Sequence, residues 1–201
     1  MKLGLLADIH EDVDRLKSAL GTFQQEGVDQ VVVLGDLFER GLAIRETCRL
    51  LKVANAVGVW GNHDFGLSSA PDEGMLRRYG PEVLEFMGTL QPTLEVAGCF
   101  FHHIEPWLDA NDVMDLWYME GPPDTPEKVA RIFSAVPNPL IFAGHLHRWW
   151  LVTPEGIQDW NGREPLDLCD GRNFVVLGAV CDGKYAVMDT ETSRLTPFNE
   201  E

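Results

Sequence analysis

Along the first sixty residues, short apolar runs alternate with stretches whose apolar positions recur every three or four residues. Met1 to Ala7 reads as a strand, and Asp12 to Gln25 as a helix with Val13, Leu16, Leu20 and Phe23 on one face and Gly27 past its end. Val31-Val32-Val33-Leu34 follows, an apolar run with three β-branched residues that predicts a strand buried on both faces. Gly35 then lets the backbone turn, so that Asp36 stands at the strand's end. A second helix reaching to Ala54 carries Ile44, Cys48 and Leu51 inward, and Ala56 to Trp60 is a third strand. Strand, helix, strand in this order predicts βαβ units, a parallel sheet and an α/β fold.

Residues 64 to 81 hold Gly66, Ser68, Ser69, Pro71, Gly74, Gly80 and Pro81, and read as a loop with room for one short helical turn. Glu82 to Leu90 reads as a helix, and Thr93–Ala97 with Cys99–His102 as a hairpin turning at Gly98. Ile104 to Asp124 is a polar and aromatic insertion. Thr125-Pro126-Glu127 opens a further helix with Val129, Ile132 and Phe133 inward, stopped by Pro137 and Pro139, and Leu140 to Ala143 is the next strand. Beyond it the pattern predicts antiparallel pairs: Trp149–Val152 with Ile157–Trp160, and Phe174–Val180 with Tyr185–Asp189 around Asp182-Gly183.

With 201 residues, 45% of them apolar, a single domain over residues 1–201 is expected. Thirty-two acidic against 16 basic residues give a formal charge of -16, which opposes non-specific attraction to nucleic acid or to anionic lipid. Neither nucleic acid nor a membrane is therefore an expected partner, while self-association stays open. No leader is legible before the first strand, and Cys48, Cys99, Cys169 and Cys181 lack paired spacing, so a cytoplasmic protein with free thiols in or near its core is expected. A phosphorylated substrate remains compatible with the acidic charge, because bound cations invert the local field.

Five strand-like runs stop at Asp, Asn or His, and ligands at the ends of strands in one α/β fold converge on one crevice. The blocks are Asp8-Ile9-His10, Gly35-Asp36, Gly61-Asn62-His63-Asp64, His102-His103 and Gly144-His145-Leu146-His147. Mixed oxygen and nitrogen ligands suit divalent transition metals, manganese first, with iron, zinc, nickel or cobalt as the other expected ions. On a continuing strand, residues two apart point to one face, so Asp8 and His10 could reach one ion; His145 and His147 stand in the same relation and could each serve a different ion.

These blocks resemble, in order, the DxH, GD, GNH[DE], H and GHxH pattern of the calcineurin-like metallophosphoesterase superfamily. The resemblance implies a four-layer αββα sandwich of two mixed sheets with two divalent metal ions at the strand ends. It places Asp8, His10 and His147 on one ion and Asn62, a histidine of the His102-His103 pair and His145 on the other, with Asp36 shared. His103 is favoured, since His103-Ile104-Glu105-Pro106 aligns with the family's HGxP apart from Ile104; His102 is the alternative. The implied reaction is hydrolysis of a small phosphomonoester or phosphodiester by a hydroxide held between the ions. His63 would assist the leaving group, with Asp64 orienting its imidazole.

Gly35-Asp36-Leu37-Phe38-Glu39-Arg40-Gly41 is similar to the GDxxDRG block of serine/threonine protein phosphatases and the GDLxxRG block of diadenosine tetraphosphatases. That likeness implies Arg40 on the substrate phosphate and a protein or dinucleotide-polyphosphate phosphatase as the alternative function; a solvated loop arginine is the plainer reading. Glu39 stands where the protein phosphatases have Asp, and Glu11 where Gly usually follows DxH. Glu11, Asp12 and Asp14 most simply favour a helix N-terminus. Trp107, Trp117, Tyr118, Trp149 and Trp150 follow ligand blocks and read either as a stacking rim or as packing of loops onto their scaffold. Asp109, Asp112 and Asp115 lack the glycine and glutamate of a calcium loop, so a solvated face is expected. A non-catalytic scaffold of the same fold would have lost ligands or His63, and every block here is intact.

Overall fold

The computed structural model describes residues 1–200. Strands β1 (Lys2–Leu6), β2 (Gln30–Leu34) and β3 (Val57–Val59) alternate with helices α1 (Val13–Glu26) and α2 (Ile44–Val53). Three short helices follow, α3 (Phe65–Ser68), α4 (Glu73–Tyr79) and α5 (Pro81–Met87), before the pair β4 (Leu94–Val96) and β5 (Cys99–Phe101). Next come α6 (Val113–Leu116), α7 (Pro126–Ala135), β6 (Leu140–Ala143), β7 (Trp150–Thr153), β8 (Gly156–Ile157), β9 (Leu166–Asp167) and β10 (Asn173–Val176). A 3-10 turn at Val180–Asp182 leads to β11 (Lys184–Asp189) and β12 (Arg194–Asn199).

Two mixed six-stranded sheets result, with strand orders β3-β2-β1-β11-β12-β9 and β4-β5-β6-β10-β7-β8. Alternation along each strand builds the layers. Leu3 and Leu5 of β1, Val32 and Leu34 of β2, Phe101 of β5, Phe142 of β6, Val175 of β10 and Met188 of β11 share the core between the sheets. The intervening residues face the helices. Leu6, Val31, Val33 and Val187 pack with Leu16, Phe23, Leu51 and Val83 from α1, α2 and α5, while Phe100, Ile141, Phe174 and Val176 pack with Val129 and Ile132 of α7. Because both faces of the inner strands are covered, their sequences are continuous apolar runs rather than alternating ones. The order helix, sheet, sheet, helix is the expected four-layer αββα sandwich.

Local signals act as read. Asp12 caps α1 by accepting the Arg15 N–H, Gly27 closes it at φ +67, and Thr125 accepts the Lys128 N–H with Pro126 in the first turn of α7. Two readings are corrected. Residues 64–81 are largely helical, because Asp72 caps α4 through the Met75 N–H and Gly80 with Pro81 merely separates α4 from α5. The Asp182-Gly183 turn does not join a hairpin: β10 pairs with β6 and β7 in the second sheet, whereas β11 pairs with β1 and β12 in the first. The turn is tied to β1 instead, through Val180 N–H to Ala7 O and Cys181 N–H to Asp8 O. β12, carrying Pro197, and the two-residue β9 gave no strand signal.

β1, β2 and β3 run parallel, as do β5, β6 and β10. Their C-terminal ends carry every block of Asp, Asn and His. No helix among the described residues is long and apolar enough to cross a membrane.

Candidate active site

The loops leaving these strands are held in a backbone conformation that side chains rarely adopt. Of nine non-glycine residues with positive φ among the described residues, six lie here: Asp8, His10, Glu11, Asp36, His145 and His147. Each costs on the order of 1 kcal/mol and persists only where neighbours over-determine it. The neighbours are the loops themselves: Asp8, His10 and Glu11 donate their N–H groups to the carbonyls of Gly35, Asp36 and Leu37. The His145 N–H donates to the Asp8 carboxylate at 3.0 Å. Gly61 and Gly35 leave room for this, since a Cβ would strike the Asp36 carboxylate at the first and the His103 ring at the second. The strand-alternation argument for Asp8 and His10 therefore fails. β1 ends at Leu6, and left-handed turns, not pleating, aim both side chains inward.

Seven of the expected ligand residues gather in two groups. In one, His10 Nε2 lies 3.1 Å from His147 Nε2, His147 Nε2 3.6 Å from Asp8 Oδ1, and His10 Nε2 3.7 Å from Asp36 Oδ2. In the other, Asn62 Oδ1 lies 3.0 Å from His103 Nε2 and 2.9 Å from His145 Nδ1, with Asp36 Oδ2 3.4 Å from His103 Nε2. Asp36 belongs to both.

The chemistry of this donor set fits cations. His103 donates Nδ1–H to the Leu34 carbonyl at 2.6 Å, so a neutral ring turns its Nε2 lone pair toward the oxygens of Asn62 and Asp36. Three lone-pair atoms facing one another need a positive centre. Without a metal a proton serves: burial opposes the charge on His103, but the carboxylates of Asp36 and Asp8 outweigh it and hold the pKa up at about 9. Asp36, buried, is pulled well below the usual carboxylate range by His103 and His63. Burial, with Asp36 nearby, pushes Asp8 up to about 8. Burial and the charge on His103 bring His145 down to about 4, and its Nε2 is buried without a partner.

His63 adjoins the first group: ligand atoms of His10, Asp36 and His63 lie within 4.8 Å of one another. Its partner is not Asp64. Asp64 is fully buried and spends its oxygens on the N–H groups of Leu37, Phe38 and Gly61. The carboxylate beside the His63 ring is that of Glu39, with Oε2 3.6 Å from His63 Nδ1 and 3.1 Å from His10 Nδ1. Glu39 is held by Glu11, whose carboxylate accepts five consecutive backbone N–H groups, those of residues 39 to 43. These bonds outweigh partial burial and lower the Glu11 pKa. Asp12 is the helix cap; Glu11 is the anchor of the neighbouring loop. Both glutamates stand where the blocks depart from the family pattern, which was the one sequence signal for them. Arg40 is not brought in: its side chain is 77% exposed, with Nε 3.9 Å from Glu39.

His102 faces away from the cluster, buried with both ring nitrogens unpartnered and its pKa lowered by burial to about 4. Cys181, on the crossing from β10 to β11, places Sγ 3.8 Å from His147 Nδ1. Of the aromatic residues, Trp107 packs with Tyr118 and Arg131, and Trp149 with Trp160. Trp117 alone of the five stands against a site histidine, its ring centroid 5.2 Å from that of His63. Asp109, Asp112 and Asp115 serve local turns, accepting the N–H groups of Asn111, Met114 and Asp109.

A two-sheet sandwich that gathers carboxylates, imidazoles and an amide at parallel strand ends defines a class of metal-binding phosphoesterases. The profile of the calcineurin-like phosphoesterase family matches residues 1–176, and the chain belongs to that family. It is 25% identical over 171 residues to the uncharacterized protein MJ0912 of Methanocaldococcus jannaschii, a match covering 77% of this chain and 65% of that protein. Among solved structures it resembles a metallophosphoesterase from Sphaerobacter thermophilus, with TM-score 0.81 and 22% identity over 100% of this chain and 89% of the other. A putative diadenosine tetraphosphatase superposes with TM-score 0.63 and 17% identity, covering 100% and 94% of the two chains. The chain is thus a member of the calcineurin-like phosphoesterase family that spans less than two thirds of the length of the curated relative it matches, with His and Asp groups suited to divalent metal ions.

Proposed function

We propose that this chain hydrolyses small phosphate esters, mono- or diesters, with two divalent transition-metal ions, manganese the first choice. The observation that carries the proposal is the pair of ligand groups sharing Asp36, with His63 beside them. Asp8, His10, His147 and Asp36 would hold one ion, and Asp36, Asn62, His103 and His145 the other. Held there, two such cations would supply a water of lowered pKa and positive charge for the phosphate oxygens.

The chain's own residues then handle binding and protons. His103 fixes its metal-facing nitrogen by giving Nδ1–H to Leu34, and His10 does the same through Glu39. Glu39 also faces His63 Nδ1, so that as imidazolium the ring would keep Nδ1–H toward Glu39 and pass its Nε2 proton to the departing alcohol, ending neutral. The acidic surface and the outward Arg40 favour a small substrate over a polyanion.

The test is hydrolysis of p-nitrophenyl phosphate and bis-p-nitrophenyl phosphate by metal-stripped protein resupplied with manganese, nickel, cobalt, zinc or magnesium, beside His63→Ala. Metal-dependent turnover is expected, with His63→Ala lowering it about a hundredfold on an alkyl ester such as glycerol 3-phosphate and much less on the p-nitrophenyl esters, whose leaving group departs without a proton. No turnover with any metal, despite bound ions, would overturn the reading.

A further inference from the structure

Side chains from three segments gather round His63. Phe38 comes from the loop after β2, Leu67 and Met75 from α3 and α4, and Trp117 from the end of α6. We propose that the cavity of about 420 Å³ bounded by Phe38, His63, Leu67, Met75 and Tyr79, together with Trp117, is the leaving-group subsite, and that it takes alcohols bearing a planar ring, nucleoside or aryl. This rests on the phosphoesterase reading above, in which the departing oxygen lies beside His63.

The wall chemistry selects the occupant. Phe38 and Tyr79 meet edge to face at 5.6 Å, and Leu67 and Met75 complete an apolar lining suited to a flat, weakly polar group. Trp117 is 56% exposed although it stands against His63. Trp107 of the same insertion is packed against Tyr118 and Arg131, whereas the more exposed Trp117 indole keeps a face available for stacking.

Charge argues against a highly anionic leaving group. Arg78 on the rim lies over the Tyr79 ring at 5.1 Å, and Asp72 is engaged as the cap of α4. Glu39 sits beside His63, while Arg40 points to solvent. One cation against these carboxylates does not make a polyphosphate site. A ring on a neutral alcohol is favoured, with Arg78 able to cover its edge.

The experiment compares kcat and KM for adenosine 5'-monophosphate, phenyl phosphate and glycerol 3-phosphate, each also as its methyl diester, on the metal-loaded enzyme. The two ring substrates should lead glycerol 3-phosphate in kcat/KM by about tenfold or more, the scale of one base on one aromatic face. Trp117→Ala and the cavity-filling Gly66→Phe should each erase most of that lead through KM, and Trp117→Phe should keep it. Equal losses for all three substrates would make Trp117 a support for His63 and overturn the subsite. Equal wild-type rates for ring and glycerol esters would overturn it too.

Absence of turnover with every ester would strike the phosphoesterase reading instead. The subsite is then judged by tryptophan fluorescence: adenosine should quench it saturably and glycerol should not, with the change lost in Trp117→Phe. No quench by adenosine overturns the subsite independently of activity.

Discussion

Glu39 Oε2 lies 3.6 Å from Nδ1 of His63 and also reaches His10 Nδ1 at 3.1 Å. One carboxylate thus touches both a residue of the candidate metal cluster and the histidine proposed to assist the leaving group. Glu39→Gln keeps the shape and removes the charge. We expect kcat to fall about tenfold to a hundredfold, the usual effect of losing such a partner. The loss should be steeper for alkyl esters than for p-nitrophenyl esters, which leave without a proton; a rate series against leaving-group basicity reads this directly.

Glu11 sets two effects against each other. Its φ of +61 strains the backbone by on the order of 1 kcal/mol, which Gly would relieve. Its carboxylate, however, accepts five N–H groups, and charged hydrogen bonds contribute about 1.5–3 kcal/mol each when partly buried. The bonds win, though the exposed N–H groups regain water when the carboxylate is removed and the net loss is far below the sum of five bonds; Glu11→Gly should destabilise by about 2 kcal/mol, and Glu11→Ala by more because it keeps the strain. Urea unfolding of the two variants measures both, and a stabilised Glu11→Gly would refute the anchor role.

The raised pKa of Asp8 ties metal binding to pH. With the folded value near 8 against 3.8 for the free side chain, the metal-free fold binds a proton that the unfolded chain does not. Its stabilising contribution is complete below pH 3.8 and is lost as pH rises through 8. A cation displaces that proton. Metal affinity should therefore rise with pH up to about 9, where His103 too has given up its proton, and binding at pH 7 should release protons. Titration calorimetry in buffers of different ionisation enthalpy would detect the release, and an unchanged heat would contradict it.

The four thiols should react unequally. Burial pushes Cys48 and Cys181 up to about 12 and Cys99 up to about 11, while Cys169 is exposed. Since the thiolate is the nucleophile, brief alkylation of the native protein at pH 7.5 should label Cys169 alone. Mass mapping of the modified peptides checks it, and early labelling of Cys181 would mean that the turn beside His147 opens readily.

Much of this protein was legible locally. Each inner strand is an apolar run because both its faces are covered, and five of the six runs in the two parallel sets, all but β10, lead into Asp, Asn or His. Helix caps such as Asp12 and Thr125 act within three residues of where they stand. The Asp182-Gly183 turn misled for the same reason: a turn signal reports the local bend and not which sheet receives the next strand.

What the sequence determined by itself was therefore the kind and order of the side chains at the strand ends, since burial and ligand chemistry are properties of residue type. The tertiary structure decided which carboxylate serves which partner. Asp64 turns from its neighbour His63 to the amides of residues 37 and 38, Glu11 gathers amides about thirty residues away, and Glu39 takes the place beside His63. A carboxylate accepts any N–H that the fold brings within 3 Å, and separation along the chain carries no information about that distance.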